Sequence, residues 1–210
     1  MALTVTDGEQ GRAQATALLP AVSRETLDRL GLYADLLAKW QPTVNLVGPK
    51  TIAEAWQRHI IDSLQLVPLL PQGARRLADF GSGAGFPGLV LAIVTGLETH
   101  LVESDVRKSA FLREVARQTA APATVHVRRV EAVEPLAADV ITARALAPLS
   151  DLLGLALPHW AAGGTGIFPK GENWQQEVTS AAARYKFEHQ TTPSRTAHGA
   201  VIVTVKDVTA

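Results

Sequence analysis

The chain has 210 residues, 47% hydrophobic and 19% charged, enough apolar content for one large domain with a buried core and unlike a disordered or fibrous chain. Twenty basic residues balance twenty acidic ones, so no global field marks a polyanionic partner, and any nucleic-acid surface must be a local patch. Zero cysteines exclude disulfides, thiolate metal sites and cysteine nucleophiles. No stretch approaches the roughly 18 apolar residues of a membrane span. Met1 to Gln14 carries Asp7 and Glu9 and no apolar run, unlike a secretory signal. The expectation is a cytoplasmic protein without a membrane partner. No segment offers a leftover apolar face, which favours a monomer.

Along the chain, Ser23 caps a helix in which Leu27, Leu30, Ala34 and Leu37 recur at helical spacing. Pro42 should interrupt it, leaving a loop through Pro49. Thr51-Ile52-Ala53-Glu54 reads as a capping box. Its helix would carry Ile52, Trp56, Ile60, Leu64 and Val67 on one side, with Arg58, His59 and Asp62 on the neighbouring stripe, and end near Pro68. From Arg76 the pattern changes. Leu77 to Phe80 is a short apolar strand, followed by a glycine loop from Gly81 to Gly88. Pro87 then opens a helix that stops at Gly96. Thr99–Glu103, Thr124–Val130, Asp139–Ala143, Gly166–Phe168, Phe187–Gln190 and Val201–Val205 read as strands. Val106–Thr119, Leu149 to the break at Pro158, and Asn173–Tyr185 read as helices. Strands alternating with helices imply an α/β fold with a mostly parallel sheet covered on both faces. The last two strands lack a helix between them and should pair antiparallel at one edge. We read one domain over residues 1–210, with an N-terminal helical cap over 1–71 and a cofactor-binding α/β core over 72–210.

Asp79-Phe80-Gly81-Ser82-Gly83-Ala84-Gly85-Phe86-Pro87-Gly88 is the most informative segment. Glycines there let a strand turn tightly into a helix while a cofactor approaches bare backbone. From Gly83 the string satisfies G-x-G-x-x-G, and Glu103 follows as a ribose-binding acid should, so a nicotinamide dinucleotide is one candidate. Asp79 argues the other way. At the mouth of the loop an anion would repel a pyrophosphate and suit a cofactor with a cationic end, such as S-adenosylmethionine. A charge pair at ~4 Å with an effective dielectric near 20 is worth about 4 kcal/mol before desolvation, enough to choose between the two.

Arg58-His59-Ile60-Ile61-Asp62-Ser63-Leu64, then Asp79 to Gly88, then Ala143-Arg144-Ala145-Leu146-Ala147-Pro148-Leu149, occur in that order. Lys39-Trp40, Asn45-Leu46 and Lys170-Gly171 flank them. This combination, from about Leu36 to Lys170, resembles the bacterial small-subunit ribosomal RNA methyltransferase G family, also called glucose-inhibited division protein B. The resemblance implies a Rossmann-like, S-adenosylmethionine-dependent fold with a seven-stranded sheet. It also implies methyl transfer to N7 of a guanosine in small-subunit ribosomal RNA, with S-adenosylhomocysteine as product. The substrate would be that RNA or a 30S-type particle. By position the resemblance puts cofactor contacts on Gly81, Phe86, Val130, Glu131 and Arg144, and our own reading adds Asp79, Ser82, Gly83 and Glu103. The chain departs from the pattern at Val47, Glu103, Val130 and Pro169. Only Val130 touches the implied adenine pocket, where a backbone contact survives the change.

The chemistry is compatible. Guanine N7 has a free lone pair and loses no proton on attack, so in-line positioning suffices, and positioning contributes roughly 7–11 kcal/mol in favourable systems. No Asn-Pro-Pro-Tyr motif stands ready to grip an exocyclic amine, and no cysteine can attack a pyrimidine. Arg144, at the carboxyl end of a central strand, is the candidate catalytic residue. It could meet the guanine O6/N7 edge, an RNA phosphate or the cofactor carboxylate, or form an ion pair with Asp79 or Glu103. Arg58, His59, Lys108, Lys170 and Arg195 are candidate RNA contacts. For His59 and Asp62 a polar network joining cap to sheet is the equal alternative. A hydrolase reading of Arg58 to Ser63 fails for want of a nucleophile elbow. The six histidines show no metal-ligand spacing, and Trp40 and Trp56 read as packing. A dinucleotide oxidoreductase and a non-catalytic S-adenosylmethionine-binding protein remain as the other readings.

Overall fold

The computed structural model describes residues 6–210. Met1 to Val5, part of the segment judged unlike a secretory signal, lie outside the described residues. The helices are α1 (Gly8–Leu18), α2 (Arg24–Val44), α3 (Asp62–Leu64), α4 (Gly88–Thr95), α5 (Val106–Gln118), α6 (Leu149–Ala156) and α7 (Trp174–Ala182). The strands are β1 (Arg76–Phe80), β2 (Glu98–Val102), β3 (Ala123–His126), β4 (Ala138–Ala143), β5 (Trp160–Lys170), β6 (Lys186–Pro193) and β7 (Val201–Thr209). They form one sheet in the order β3-β2-β1-β4-β5-β7-β6. The first five pair in parallel, whereas β7 runs antiparallel to both β5 and β6. The final antiparallel pair thus closes one edge, with β7 one place in from it.

Burial explains the layers. On one face, Leu30, Leu37, Trp56 and Ile60 pack with Leu89, Ile93, Phe111, Leu112 and Val115. The N-terminal helices therefore share a core with α4 and α5. On the other face, Leu149, Leu152, Leu153 and Ala181 from α6 and α7 cover Phe80, Ile141, Phe168 and Val203. Strands buried on both faces read as apolar runs, as Leu77 to Phe80 and Val140 to Ala143 do.

Three local expectations are corrected. Helix α2 continues through Pro42 to Val44 and ends at Asn45 in the left-handed region, φ 53°. The hydrogen bond lost at Pro42 is outweighed by burial of Gln41 and Val44. The Gln41 amide also wraps the exit, accepting from Leu46 and Val47 N–H and donating to Val47 O. The capping box does not form, because the Thr51 hydroxyl donates to Gly48 O and contacts His59 instead. In place of one helix there is a 3-10 turn, Pro49–Thr51, then a π-helical segment, Trp56–Ile61, that runs into α3. The cap of that segment comes from far away: Asp7 accepts from Trp56 N–H at 3.3 Å and Gln57 N–H at 2.9 Å. Lastly, the strand expected to reach Val130 stops at His126, and Val130 opens a short 3-10 turn.

Candidate active site

The carboxyl ends of the parallel strands converge where the order departs from β1, the place where open α/β sheets hold ligands. Gly81, Gly83 and Gly85 all have positive φ, at 63°, 55° and 93°, so the loop after β1 needs residues without a Cβ. Gly88 is required for a different reason: a Cβ there would lie 2.6 Å from Asp79 Cβ and from Leu101 Cδ2. Glu103, just past β2, pins the loop from the side. One carboxylate oxygen accepts from Gly83 N–H at 2.9 Å and the other from Asp105 N–H at 2.7 Å. Above the loop is a hollow of about 370 Å³, lined among others by Gly81, Gly83, Glu103, Lys108, Val130, Glu131 and Leu146. Five of the nine residues assigned to the cofactor thus share one cavity of small-molecule size. Lys108, expected on RNA, borders it too.

Asp79, Ser82, Phe86 and Arg144 do not line that hollow. Asp79 is 1% exposed and lies beneath the loop, which corrects the expectation that it fronts the mouth. One of its oxygens accepts from the Thr142 hydroxyl at 2.6 Å, while the other finds no hydrogen-bond partner among the described residues. Burial pushes its pKa up to about 6, against the pull of Thr142, Ser82, the Arg144 charge and the Gly88 amide. Its carboxylate therefore stands at the amino end of α4, where a dinucleotide would need free N–H groups for its pyrophosphate. The antiparallel β7 also departs from the all-parallel dinucleotide order. Ser82 supports the turn, donating to Asp79 O at 2.9 Å. Phe86 is buried in a stack, with Tyr33 and His59 each 5.0 Å away, and the Tyr33 hydroxyl donates to Ala84 O.

Arg144 is the hub between sheet and N-terminal helices. Its guanidinium lies 5.3 Å over the Phe86 ring, pairs with Asp62 at 3.1 Å and donates to His59 Nδ1 at 3.2 Å. The ion-pair partner is thus Asp62, and neither Asp79 nor Glu103. Because a guanidinium only donates, Nδ1 is the acceptor and the His59 proton sits on Nε2, facing the Thr51 hydroxyl at 2.9 Å. Burial and the charges of Arg144 and Arg58 hold the His59 pKa down to about 3, so the ring is neutral at ordinary pH. Asp62 also accepts from Thr196 and Gln65, and Gln65 Oε1 accepts from Arg195 N–H at 2.8 Å. This network ties α3 to the β6–β7 connection, as the junction reading anticipated.

A second hollow of about 460 Å³ opens on this side, lined by Asp62, Gln65, Arg144, Lys170 and Ser194 among others. Ala145, Leu146 and Ala147 line both hollows. Lys170 corrects a further expectation, since its side chain is 8% exposed and paired with Glu177 at 2.7 Å rather than free for RNA. Arg58 and Arg195 are exposed, and Ser194 beside Arg195 lines this hollow, while His59 is buried. The sequence reading missed Thr142, Gln65, Thr196 and Glu177, which carry no motif and meet the site only through the fold. Among the described residues no cluster of histidine and carboxylate side chains could hold a metal, and no helix is long and apolar enough to cross a membrane.

Comparisons with known proteins show the family and the fold. The family model for rRNA small subunit methyltransferase G matches residues 26–201. The chain is 57% identical over 187 residues to the Ribosomal RNA small subunit methyltransferase G of Paramagnetospirillum magneticum, covering 89% of this chain and 91% of that one. It is 50% identical over 206 residues to the protein of that name from Methylobacterium radiotolerans, with 96% of each covered. Among solved structures, the ribosomal protein L11 methylase of Lactobacillus delbrueckii subsp. bulgaricus aligns with TM-score 0.57 at 15% identity, over 68% of this chain and 75% of that one. A mutant of MtNAS in complex with S-adenosylmethionine aligns with TM-score 0.59 at 15% identity, over 85% and 74%. These two show the fold, a Rossmann-like methyltransferase architecture.

Proposed function

The chain belongs to the rRNA small subunit methyltransferase G family, and from that premise we propose that it transfers a methyl group from S-adenosylmethionine to N7 of a guanosine in small-subunit ribosomal RNA. The observation that carries the reading is the pair of adjoining hollows at the carboxyl ends of β1, β2, β4 and β5, with the loop after β4 as their shared wall. The donor belongs above the glycine loop, with its ribose at Glu103 and its adenine near Val130 and Glu131. The acceptor guanosine belongs in the larger hollow, and the exposed Arg58 and Arg195 meet the RNA backbone. The enzyme works as a monomer in which residues 1–71 and 72–210 form one unit, consistent with their shared core.

Held by Gly81, Gly83, Glu103, Val130 and Glu131, S-adenosylmethionine would supply an electrophilic methyl to the N7 lone pair, its sulfur keeping the electron pair of the broken carbon–sulfur bond. No proton is lost at N7, so no general base is needed and the contribution of the protein is alignment. Positive charge passes from sulfur to the purine. Arg144 borders the acceptor hollow with its charge already matched by Asp62 at 3.1 Å, so it can donate to the guanine O6 without opposing that charge as a bare cation would.

The test supplies radiolabelled S-adenosylmethionine and small ribosomal subunits from a strain lacking this gene, and maps label by cleavage at 7-methylguanosine. One labelled guanosine is the expected outcome; tight donor binding without incorporation would refute the substrate. Arg144→Ala should lower turnover by ~100-fold or more, the scale of a lost positioning contact, with an unchanged circular dichroism spectrum. Wild-type turnover in that variant would remove Arg144 from the mechanism.

A further inference from the structure

The loop between β4 and α6, Arg144 to Pro148, divides the two hollows, and its most prominent side chain is Leu146. Leu146 is 38% exposed, one of two large hydrophobic side chains left so open among the described residues. Its Cδ1 lies 2.7 Å from the point a Cβ on Gly81 would occupy. Leu146 therefore bears on the glycine loop from one side and on the larger hollow from the other. The preceding residue, Ala145, holds φ at 54°, a left-handed conformation that residues with a Cβ adopt at a cost. A short, exposed, strained loop keeps one shape only if its surroundings impose it.

Arg144 is held at the near end by Asp62 and His59; after Leu146 two further side chains impose the shape. Lys170, at the end of β5, donates to Ala147 O at 2.9 Å and pairs with Glu177 Oε2 at 2.7 Å. The same glutamate oxygen accepts from Leu149 N–H at 2.8 Å. The pair thus grips the backbone immediately after Leu146 at two points, from strand and from helix. For packing alone an apolar pair would serve as well, because burying an ion pair brings little net stability. What the charged pair adds is a directional hold on one carbonyl and one amide.

Resting on the methyltransferase reading, we propose that Lys170 and Glu177 are positioning residues for methyl transfer, holding the Arg144–Pro148 loop so that Leu146 forms the wall at which donor and acceptor meet. A displacement of ~1 Å in such a wall is enough to cost on the order of 100-fold in rate.

Backbone hydrogen exchange from Ala145 to Leu149, read on the full chain without RNA or donor, should speed up at least tenfold in Lys170→Met. Unchanged exchange overturns the proposal, whatever activity the chain has. In methyl transfer, Lys170→Met should lower kcat by roughly 10- to 100-fold while the Kd for S-adenosylmethionine stays within about threefold. Leu146→Ala should lower kcat as well, and the double variant should be no slower than the slower single one, since both act through one wall. Multiplied losses would mean that Lys170 acts elsewhere, and would overturn the proposal. Lys170→Met combined with Glu177→Gln leaves no unpaired charge. A folded protein with fast loop exchange and low kcat supports the proposal; wild-type kcat in it does not. If the unaltered chain transfers no methyl to RNA, the functional reading alone falls and the exchange experiment still decides whether the clamp holds the loop.

Discussion

Asp79 offers a test in which charge and burial can be separated. Its carboxyl is 1% exposed, and its pKa is raised from 3.8 to about 6, chiefly by desolvation. A raised carboxyl pKa means that the folded state disfavours the ionised form. The two states are equally protonated well below pH 3.8, and the penalty grows as pH rises through 6. At roughly 1.4 kcal/mol per pH unit of displacement, ionised Asp79 costs the fold about 3 kcal/mol at pH 8. Asp79→Asn removes the charge and keeps an oxygen for the Thr142 hydroxyl. Its amide nitrogen would take the place of an oxygen that already lacks a partner, so the new unsatisfied group replaces one that was both unsatisfied and charged. Whatever fixed cost the amide carries, the stability difference between variant and wild type should move in favour of the variant by about 2–3 kcal/mol between pH 4 and pH 8. In thermal scans that is a relative Tm change of about 4–12 °C for a chain of this size. Denaturant unfolding at both pH values reads the difference, and every other titrating group cancels in the comparison. A difference that is the same at pH 4 and pH 8 would refute the burial argument.

His59 should act with the opposite sign. Its pKa is held down from 6.5 to about 3, so stability is fully present above pH 6.5 and is lost as pH falls towards 3, by up to about 5 kcal/mol. His59→Gln should flatten that acid limb in urea titrations, and an unchanged limb would count against the assignment. Gly88→Ala places a methyl 2.6 Å from Asp79 Cβ and Leu101 Cδ2. Overpacking of that kind should lower stability by about 1–3 kcal/mol and loosen the donor site, read by denaturant midpoint and by binding of labelled S-adenosylmethionine. A wild-type midpoint would show that α4 has room to move.

Much of the framework was written locally. Alternating strands and helices, glycines at the β1 turn and at Gly96, and the lack of a helix between the last two strands led to the sheet and its antiparallel end. The glycine loop and Glu103 were legible because they are consecutive or lie one βα unit apart. The errors fell where distant residues overrode local signals. Thr51 gave up its expected cap for Gly48 and His59, Asp7 capped a helix nearly fifty residues away, and Gln41 carried a helix past Pro42. A one-dimensional pattern records which groups need partners but not which groups arrive. That is why Asp79 and Lys170, both read as free charges facing a ligand, proved otherwise: Asp79 is buried at the foot of α4, and Lys170 is paired with Glu177. The pairing of Arg144 with Asp62 across 82 residues has the same origin. Residue types and spacing determined the glycine turn at the end of β1 and with it the expectation of a ligand there. Only packing of the N-terminal helices onto the sheet decided which charges face that ligand and which hold the walls in place, because burial and pairing are properties of the assembled fold.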